Sequence, residues 1–279
     1  MHTIASDGRC TPEALVQEAY AKGIRTMSVT DHDTMAGVPQ AAQAAARLGM
    51  TFVPGIEITS VHGGKDVHVL AYFLPDLTPE LRALLAEQRQ SRLARAAEIA
   101  RRLEAVGAPI DVAALMEAGA SLGGKSLARP QIAQALIAAG HVATVAEAFE
   151  RFLSEDGPAY VPHTGASPTH VVTLIAQAGG VSSLAHPGYT KKDEVIPVMV
   201  EAGLVAIEAY HSSHDDAAVV HYLEVARAFG LAVSGGSDYH GAGTRRSEFF
   251  GVTNLPPEHF QVLCEGAGRA RVPSVERIG

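Results

Sequence analysis

Four stretches place imidazole and carboxylate side chains at or just beyond an apolar run: residues 2–8 (H-T-I-A-S-D-G), 30–33 (T-D-H-D), 55–59 (G-I-E-I-T) and 236–240 (G-S-D-Y-H). His68 in V-H-V-L and His186 in A-H-P add two histidines of the same kind. Mixed nitrogen and oxygen donors suit divalent transition metals such as Mn²⁺, Fe²⁺ or Zn²⁺, and the sequence does not choose among them. Taken singly, a histidine beside an apolar run is more often a satisfied core residue than a ligand. Together with T-D-H-D and G-S-D-Y-H, His68 and His186 become ligand candidates. Asp238 and His240 are two apart and project to one side of an extended segment, and Gly235-Gly236 before them permits a sharp turn. Asp33 reads as a turn or supporting residue, and Asp7 before Gly8 reads equally well as a turn.

Ligands drawn from so many places can meet only at one end of a barrel or sheet. The first 75 residues alternate helix and strand. Thr11 caps a helix with Pro12 at its first position and Gly23 at its end. A strand over 26–30, an alanine-rich helix over 37–48, a short strand over 51–54 and another over 67–74 follow. Such alternation implies parallel strands with helices outside. His32, Glu57, His186, Asp238 and His240 then fall at the carboxyl ends of strands, where barrel active sites form. From Asp76 the rhythm changes to helices alone: a long charged one from Thr78 to about Val106, read as a solvated face, then helices near 111–118, 129–139 and 144–153. Alternation resumes at Val161 with helix–strand pairs ending at Ala185, Ala209 and Gly235. The expected organisation is a discontinuous barrel domain (1–76 and 160–266), a helical insertion or lid (77–159) and a loosely packed tail (267–279).

Composition sets limits. The chain has 279 residues, is 47% hydrophobic and carries a formal charge of −8. That balance disfavours a protein that grips a long duplex by its phosphates. No apolar run is long enough to span a bilayer and no leader is visible, so a cytoplasmic protein with no membrane partner is expected. Cys10 and Cys264 lie far apart in sequence and are read as free thiols of a cytoplasmic protein, and neither lies in a metal-type spacing.

The motif set S-D-G, T-D-H-D, G-x-E, a strand histidine, A-H-P and G-S-D-x-H resembles that of the PHP (polymerase and histidinol phosphatase) family. The resemblance covers the chain outside the helical insertion. It implies a distorted (β/α)7 barrel holding two or three divalent metal ions. By that match His2 is the second of a paired opening set of histidines, and Glu57 bridges two metals. His2, Glu57 and Asp238 would hold the first metal, Glu57, His68 and His186 the second, and Asp7, His32 and His240 a third. Glu57, Asp238 and His32 would carry the catalysis. Met1 falls where the family has the residue between the paired histidines, and a misassigned start or a clipped chain accounts for that. Its first strand is expected to be truncated, leaving an unpaired edge, a weakly occupied first site and reduced stability.

Cations at such a site neutralise phosphoryl oxygens and activate water, so the implied activity is phosphoester hydrolysis. Arg129 in S-L-A-R-P opens a helix, a good anion site, and His214 follows the strand ending near Ala209. This pattern resembles the subgroup that converts nucleoside 3′,5′-bisphosphates to 5′-monophosphates and trims short RNA from its 5′ end. There, residues at the places of Arg129 and His214 hold the other phosphate, with Lys125 a weaker candidate. His211 reads as either a ligand or a substrate contact, and His163 could face the pocket. The expected partner is a small phosphorylated substrate, a nucleotide or short RNA end. The alternatives are a phosphatase of another metabolite such as histidinol phosphate, a non-catalytic metal-binding module, or a C–N hydrolase on a related barrel.

Overall fold

A computed structural model describes residues 1–111, 113, 115, 129–244 and 246–270. Helix α1 (Pro12–Ala21) is capped by the Thr11 hydroxyl, which accepts from Ala14 N, with proline at its first position. It leads to β1 (Thr26–Val29), α2 (Val38–Arg47), β2 (Thr51–His62) and β3 (Lys65–Tyr72). The all-helical stretch follows, as α3 (Pro79–Ala105), α4 (Arg129–Ala138) and α5 (Val145–Ala148), the last running into a wider turn over Phe149–Leu153. The return consists of α6 (Pro168–Gln177), β4 (Val181–Leu184), α7 (Pro187–Thr190), α8 (Ile196–Glu201), β5 (Ala206–His211), α9 (Asp216–Phe229), β6 (Ala232–Gly236) and α10 (Pro257–Ala270). The final helix therefore crosses residue 266, where the sequence suggested that a loose tail begins. Residues 111–118, expected to be helical, fall largely outside the described residues.

The six strands lie in the order β1-β2-β3-β4-β5-β6, a curled sheet wrapped by helices. The expectation of parallel strands throughout is corrected. The pairs β1–β2, β4–β5 and β5–β6 are parallel, but β2–β3 and β3–β4 are antiparallel. Strand β2 is also longer than the expected 51–54. Its first four residues pair with β1 up to Val29↔Pro54, and from Gly55↔Tyr72 onward it pairs with β3. Pro54-Gly55 thus marks a change of partner rather than a strand end. A Cβ at Gly55 would lie 2.6 Å from Ser28 Oγ and 3.2 Å from Ala71 O, so any larger residue would crowd both neighbouring strands at that crossover. Gly63-Gly64, both at positive φ, make the two-residue turn between β2 and β3. Glu57 consequently lies within β2, not after it.

The main core buries Ile56, Ile58, Val67 and Val69 of the hairpin against α6 and the start of α3. Each full burial of such a side chain is worth about 1.5–3 kcal/mol. A second cluster packs α1 and α2 on β1 through Leu15, Val16, Val29, Ala41 and Ala45. A third draws on residues between Ala96 and Ala159 and holds the helical stretch together. Helix α3 joins the first and third: Leu81, Leu84 and Leu85 enter the main core, while Ile99 and Leu103 enter the helical one. Between them Gln88 Nε2 donates to Thr59 O at 2.7 Å, and buried Arg92 pairs with Asp33. Part of the charged run expected to be solvated therefore anchors α3 to β2.

Residues 1 and 2 lie between the ends of β1 and β6, with Thr30 N donating to Met1 O at 2.9 Å and His2 N to Tyr239 O at 2.8 Å. Below them the seam between β1 and β6 opens into a cavity of about 410 Å³ lined by residues of both strands and of α10. Both cysteines are free, and no helix among the described residues is long and apolar enough to cross a membrane.

Candidate metal centre

Each candidate ligand is set by a local device. The opening loop that carries His2 and Asp7 is clamped by buried Asp31, whose oxygens accept from Thr3 N, Thr3 Oγ1 and Ser6 Oγ, each at 2.7 Å. Next along the chain, His32 pairs locally with Glu57 of β2. Asp33, at φ +54°, accepts from Thr59 N and Thr59 Oγ1 at 2.9 Å and from Arg92. His186 and Asp238 are both left-handed, at φ +30° and +49°. Non-glycine residues rarely adopt that region, and such outliers cluster at functional sites. The Gly235-Gly236 pair does not supply the turn expected of it, since neither residue has positive φ. Gly235 instead lets β6 approach β5, where a Cβ would sit 2.6 Å from Tyr210 Cβ.

The structure brings His2, Asp7, His32, Glu57, His68, His186, Asp238 and His240 together at one mouth. Buried Glu57 is the hub. Its Oε2 lies 3.1 Å from His2 Nε2 and 3.9 Å from His32 Nδ1, while its Oε1 lies 2.7 Å from His68 Nδ1 and 3.0 Å from His186 Nε2. The two oxygens thus face two different groups of imidazoles. Asp238 Oδ1 reaches His2 Nε2 at 2.9 Å. Asp7 lies 3.3 Å from His240 Nε2 and 3.9 Å from His32 Nε2. Three contiguous clusters result: His2–Glu57–Asp238, His32–Glu57–His68, and His2–Asp7–His32–His240.

Electrostatics bear on what this cluster holds. Burial pushes the Glu57 carboxyl up, but His32, His68, the hydrogen-bonding His186 and the nearby His2 outweigh it and hold the carboxyl well below the usual range. Burial pushes His32 down to about 4 despite the carboxylates beside it, and lowers His186. Neutral imidazoles and ionised carboxylates are the forms that bind metal. His2 Nε2, His32 Nδ1 and His186 Nδ1 are buried without a hydrogen-bond partner. Buried polar atoms are rarely left so, and a cation among the clusters would satisfy His2 and His32. The residues present fit divalent metals.

The substrate candidates are placed less directly. His214 lies beside the centre with its ring 5.4 Å from that of His211, but Nδ1 lies 2.8 Å from Ala209 O and Nε2 accepts from Gly188 N at 3.1 Å. Arg129 opens α4, as expected of a helix start. Lys125 lies outside the described residues. His163 pairs with Asp66 at 2.5 Å. Besides His211, which the sequence offered as a ligand or substrate contact, three residues beside the centre escaped sequence reading: Asp31, Glu208 and Arg246. Asp31 clamps the opening loop. Glu208 of β5 accepts from His186 N at 2.8 Å, and burial pushes it up to about 8. His211 is buried with Nε2 3.5 Å from Asp238 Oδ2; burial, then His186 and Arg246, push it down to about 2. Arg246 pairs with Asp238. A lone glutamate in the apolar V-A-I-E-A run of β5 was a visible signal for Glu208; Arg246 offered none.

A curled α/β sheet whose strand ends gather histidine–carboxylate clusters defines a metal-dependent hydrolase scaffold. The PHP domain family matches residues 1–99. The chain is 31% identical to the 3′,5′-nucleoside bisphosphate phosphatase of Chromobacterium violaceum, over 92% of this chain and 91% of that one. It is 32% identical to the 5′-3′ exoribonuclease Rnm of Escherichia coli, over 86% and 83%. It superposes with a TM-score of 0.83 and 30% identity on the crystal structure of a putative metal-dependent phosphoesterase from Bifidobacterium adolescentis, covering 95% and 94%. The chain belongs to the PHP family and is a metal-dependent hydrolase of phosphoric esters.

Proposed function

We propose that the protein hydrolyses a phosphomonoester of a small nucleotide, converting a nucleoside 3′,5′-bisphosphate to the 5′-monophosphate, or trims short RNA from its 5′ end. The observation that carries this is the meeting of three contiguous histidine–carboxylate clusters, two of which share Glu57, in a chain whose relatives act on such substrates by name. His2, Glu57 and Asp238 would hold one ion, Glu57, His68 and His186 a second, and Asp7, His32 and His240 a third, drawn from Mn²⁺, Fe²⁺ or Zn²⁺. Bound there, divalent cations neutralise phosphoryl oxygens and lower the pKa of water for in-line attack. The chain's own part is to hold the donors. Glu57 presents one oxygen to each side, Asp31 fixes the opening loop and Asp33 ties the His32 segment to β2 and α3, and Glu208 orients His186 through its backbone. Each position draws on three protein donors, one fewer than a closed four-ligand site, which leaves room for water or substrate.

We read the helical stretch 77–159 as a lid; Arg129, with Lys125, would hold a second phosphate, and His214 would join them by exchanging its contact with Gly188 N. A cytoplasmic enzyme acting on small phosphorylated substrates, with no membrane or long-duplex partner, fits the acidic composition. Phosphate release from adenosine 3′,5′-bisphosphate, histidinol phosphate and a 5′-phosphorylated short RNA, each with Mn²⁺, tests this reading. Turnover of the bisphosphate or shortening of the RNA is expected. Efficient turnover of histidinol phosphate alone would replace the nucleotide by another metabolite. A rise in melting temperature with no turnover of any ester would leave a metal-binding module.

A further inference from the structure

Two side chains outside the ligand set close the His186 side of the centre. Arg246 follows Asp238 by eight residues, in an irregular segment, and its Nη1 donates to Asp238 Oδ2. Since Asp238 Oδ1 faces His2, this carboxylate has one oxygen in the cluster and one on the guanidinium. A guanidinium carries five N–H donors in a planar fork. Among the described residues its hydrogen bonding is confined to Asp238, and the side chain remains 21% exposed. The guanidinium carbon lies 5.6 Å from the centroid of the Tyr189 ring. That ring stands edge-on to His186, 5.9 Å away at 87°. His186 is buried, yet Tyr189 is 58% exposed, so a large flat surface lies open directly beside the centre.

We propose that Arg246 and Tyr189 form the subsite that orients a nucleotide here: the guanidinium takes a non-bridging oxygen of the phosphate being cleaved, and the ring takes the flat face of the base. The proposal rests on the nucleotide reading above and says which residues select for it. Guanidinium donors match phosphate oxygens in pairs, and Asp238 holds the fork at the edge of the cluster before substrate arrives. Stacking on an aromatic ring accepts any base, because every base has a π-face. The subsite therefore prefers nucleosides over bare sugar esters while discriminating little among bases. A role confined to holding Asp238 makes the opposite prediction for cation binding. Removing a positive charge beside a cation site strengthens cation binding, whereas removing a ligand's support weakens it.

The experiment compares the full chain with R246Q, Y189A and Y189F. Calorimetry gives Mn²⁺ affinity. Kinetics with Mn²⁺ compare adenosine 3′,5′-bisphosphate with ribose 5-phosphate, an ester lacking a base, and measure inhibition by inorganic phosphate. R246Q is expected to bind Mn²⁺ at least as tightly as the wild type while phosphate inhibition weakens about tenfold or more. Y189A is expected to lower the ratio of kcat/KM for the bisphosphate to that for the ribose ester about tenfold, mainly through KM, and Y189F, which keeps the ring, restores it. Unchanged phosphate inhibition in R246Q, or a loss of its Mn²⁺ affinity, overturns the role of Arg246. An unchanged ratio in Y189A overturns that of Tyr189. A wild type that hydrolyses ribose 5-phosphate but not the bisphosphate sinks the nucleotide reading itself, a result distinct from both.

Discussion

Replacing Glu57 by glutamine tests the centre at its hub. The residue is 2% exposed and its carboxylate faces four imidazoles at 2.7, 3.0, 3.1 and 3.9 Å. Glutamine keeps the shape and removes the charge that two metal positions share. A ligand that binds only the folded state stabilises it by about 2.7 kcal/mol at a free concentration one hundred times its Kd. For a domain of this size each kcal/mol moves Tm by roughly 2–4 °C. Saturating Mn²⁺ should therefore raise the wild-type Tm by about 5–10 °C per tight site. E57Q breaks two of the three positions at once, so its rise at the same Mn²⁺ should be smaller by about 5–10 °C for each tight site lost. Differential scanning calorimetry reads the shift, each protein being compared with its own metal-free form, and atomic absorption counts the bound ions. If E57Q takes up as many Mn²⁺ ions as the wild type with the same Tm rise, the shared-carboxylate geometry is not what binds metal, and the assignment of the centre fails with it.

Asp31 accepts three buried hydrogen bonds, and bonds to a charged acceptor are worth about 1.5 kcal/mol or more each. D31A should therefore lose at least about 3 kcal/mol in urea unfolding; a loss below about 1 kcal/mol would mean that the opening loop is held by something else. A methyl group at Gly235 would meet Tyr210 Cβ at 2.6 Å and Tyr210 O at 2.7 Å, so G235A must part β5 from β6. It should cost about 1–3 kcal/mol and weaken Mn²⁺ binding through Asp238 and His240, and wild-type affinity measured by calorimetry would contradict this. Burial pushes the Asp66 carboxyl up, but the hydrogen bond and charge of His163 outweigh it and hold it below its ordinary value of 3.8. The folded form thus binds fewer protons than the unfolded chain, and the stability is present above pH 3.8 and lost as pH falls through the folded value. D66N should be less stable than the wild type by about 1 kcal/mol near neutrality, solvent screening included, with the gap closing in acid. A gap that is constant from pH 7 to pH 3 would assign the contact no electrostatic part.

The metal candidates were legible because coordination chemistry admits few residue types, and most of them lie in or just after an apolar run that forms a strand. What escaped depended on partners rather than types. Pro54-Gly55 punctuates β2 in sequence as a strand end would; in space the same two residues mark where β2 leaves β1 and takes up β3, which no local pattern encodes. Antiparallel pairing of β3 was likewise hidden, although Gly63-Gly64 carried the hairpin signal. Arg246 stands in no regular element and is identified only by reaching Asp238. T-D-H-D shows the division most plainly. Glu57 N donates to Asp31 O at 3.2 Å and Asp33 N donates to Glu57 O at 2.8 Å, so the three residues run beside β2. Alternate side chains of an extended segment face opposite ways. His32 is turned into the cluster, while Asp31 and Asp33 grip the opening loop, β2 and α3 behind it. Both aspartates are metal-type residues by identity, and in sequence nothing separates them from a ligand. The separation comes from the donors already pointing at them: three hydrogen bonds from the opening loop on Asp31, and the contacts from Thr59 and Arg92 on Asp33, leave those carboxylates occupied. Among the described residues, the carboxylate of Glu57 has only imidazoles to answer.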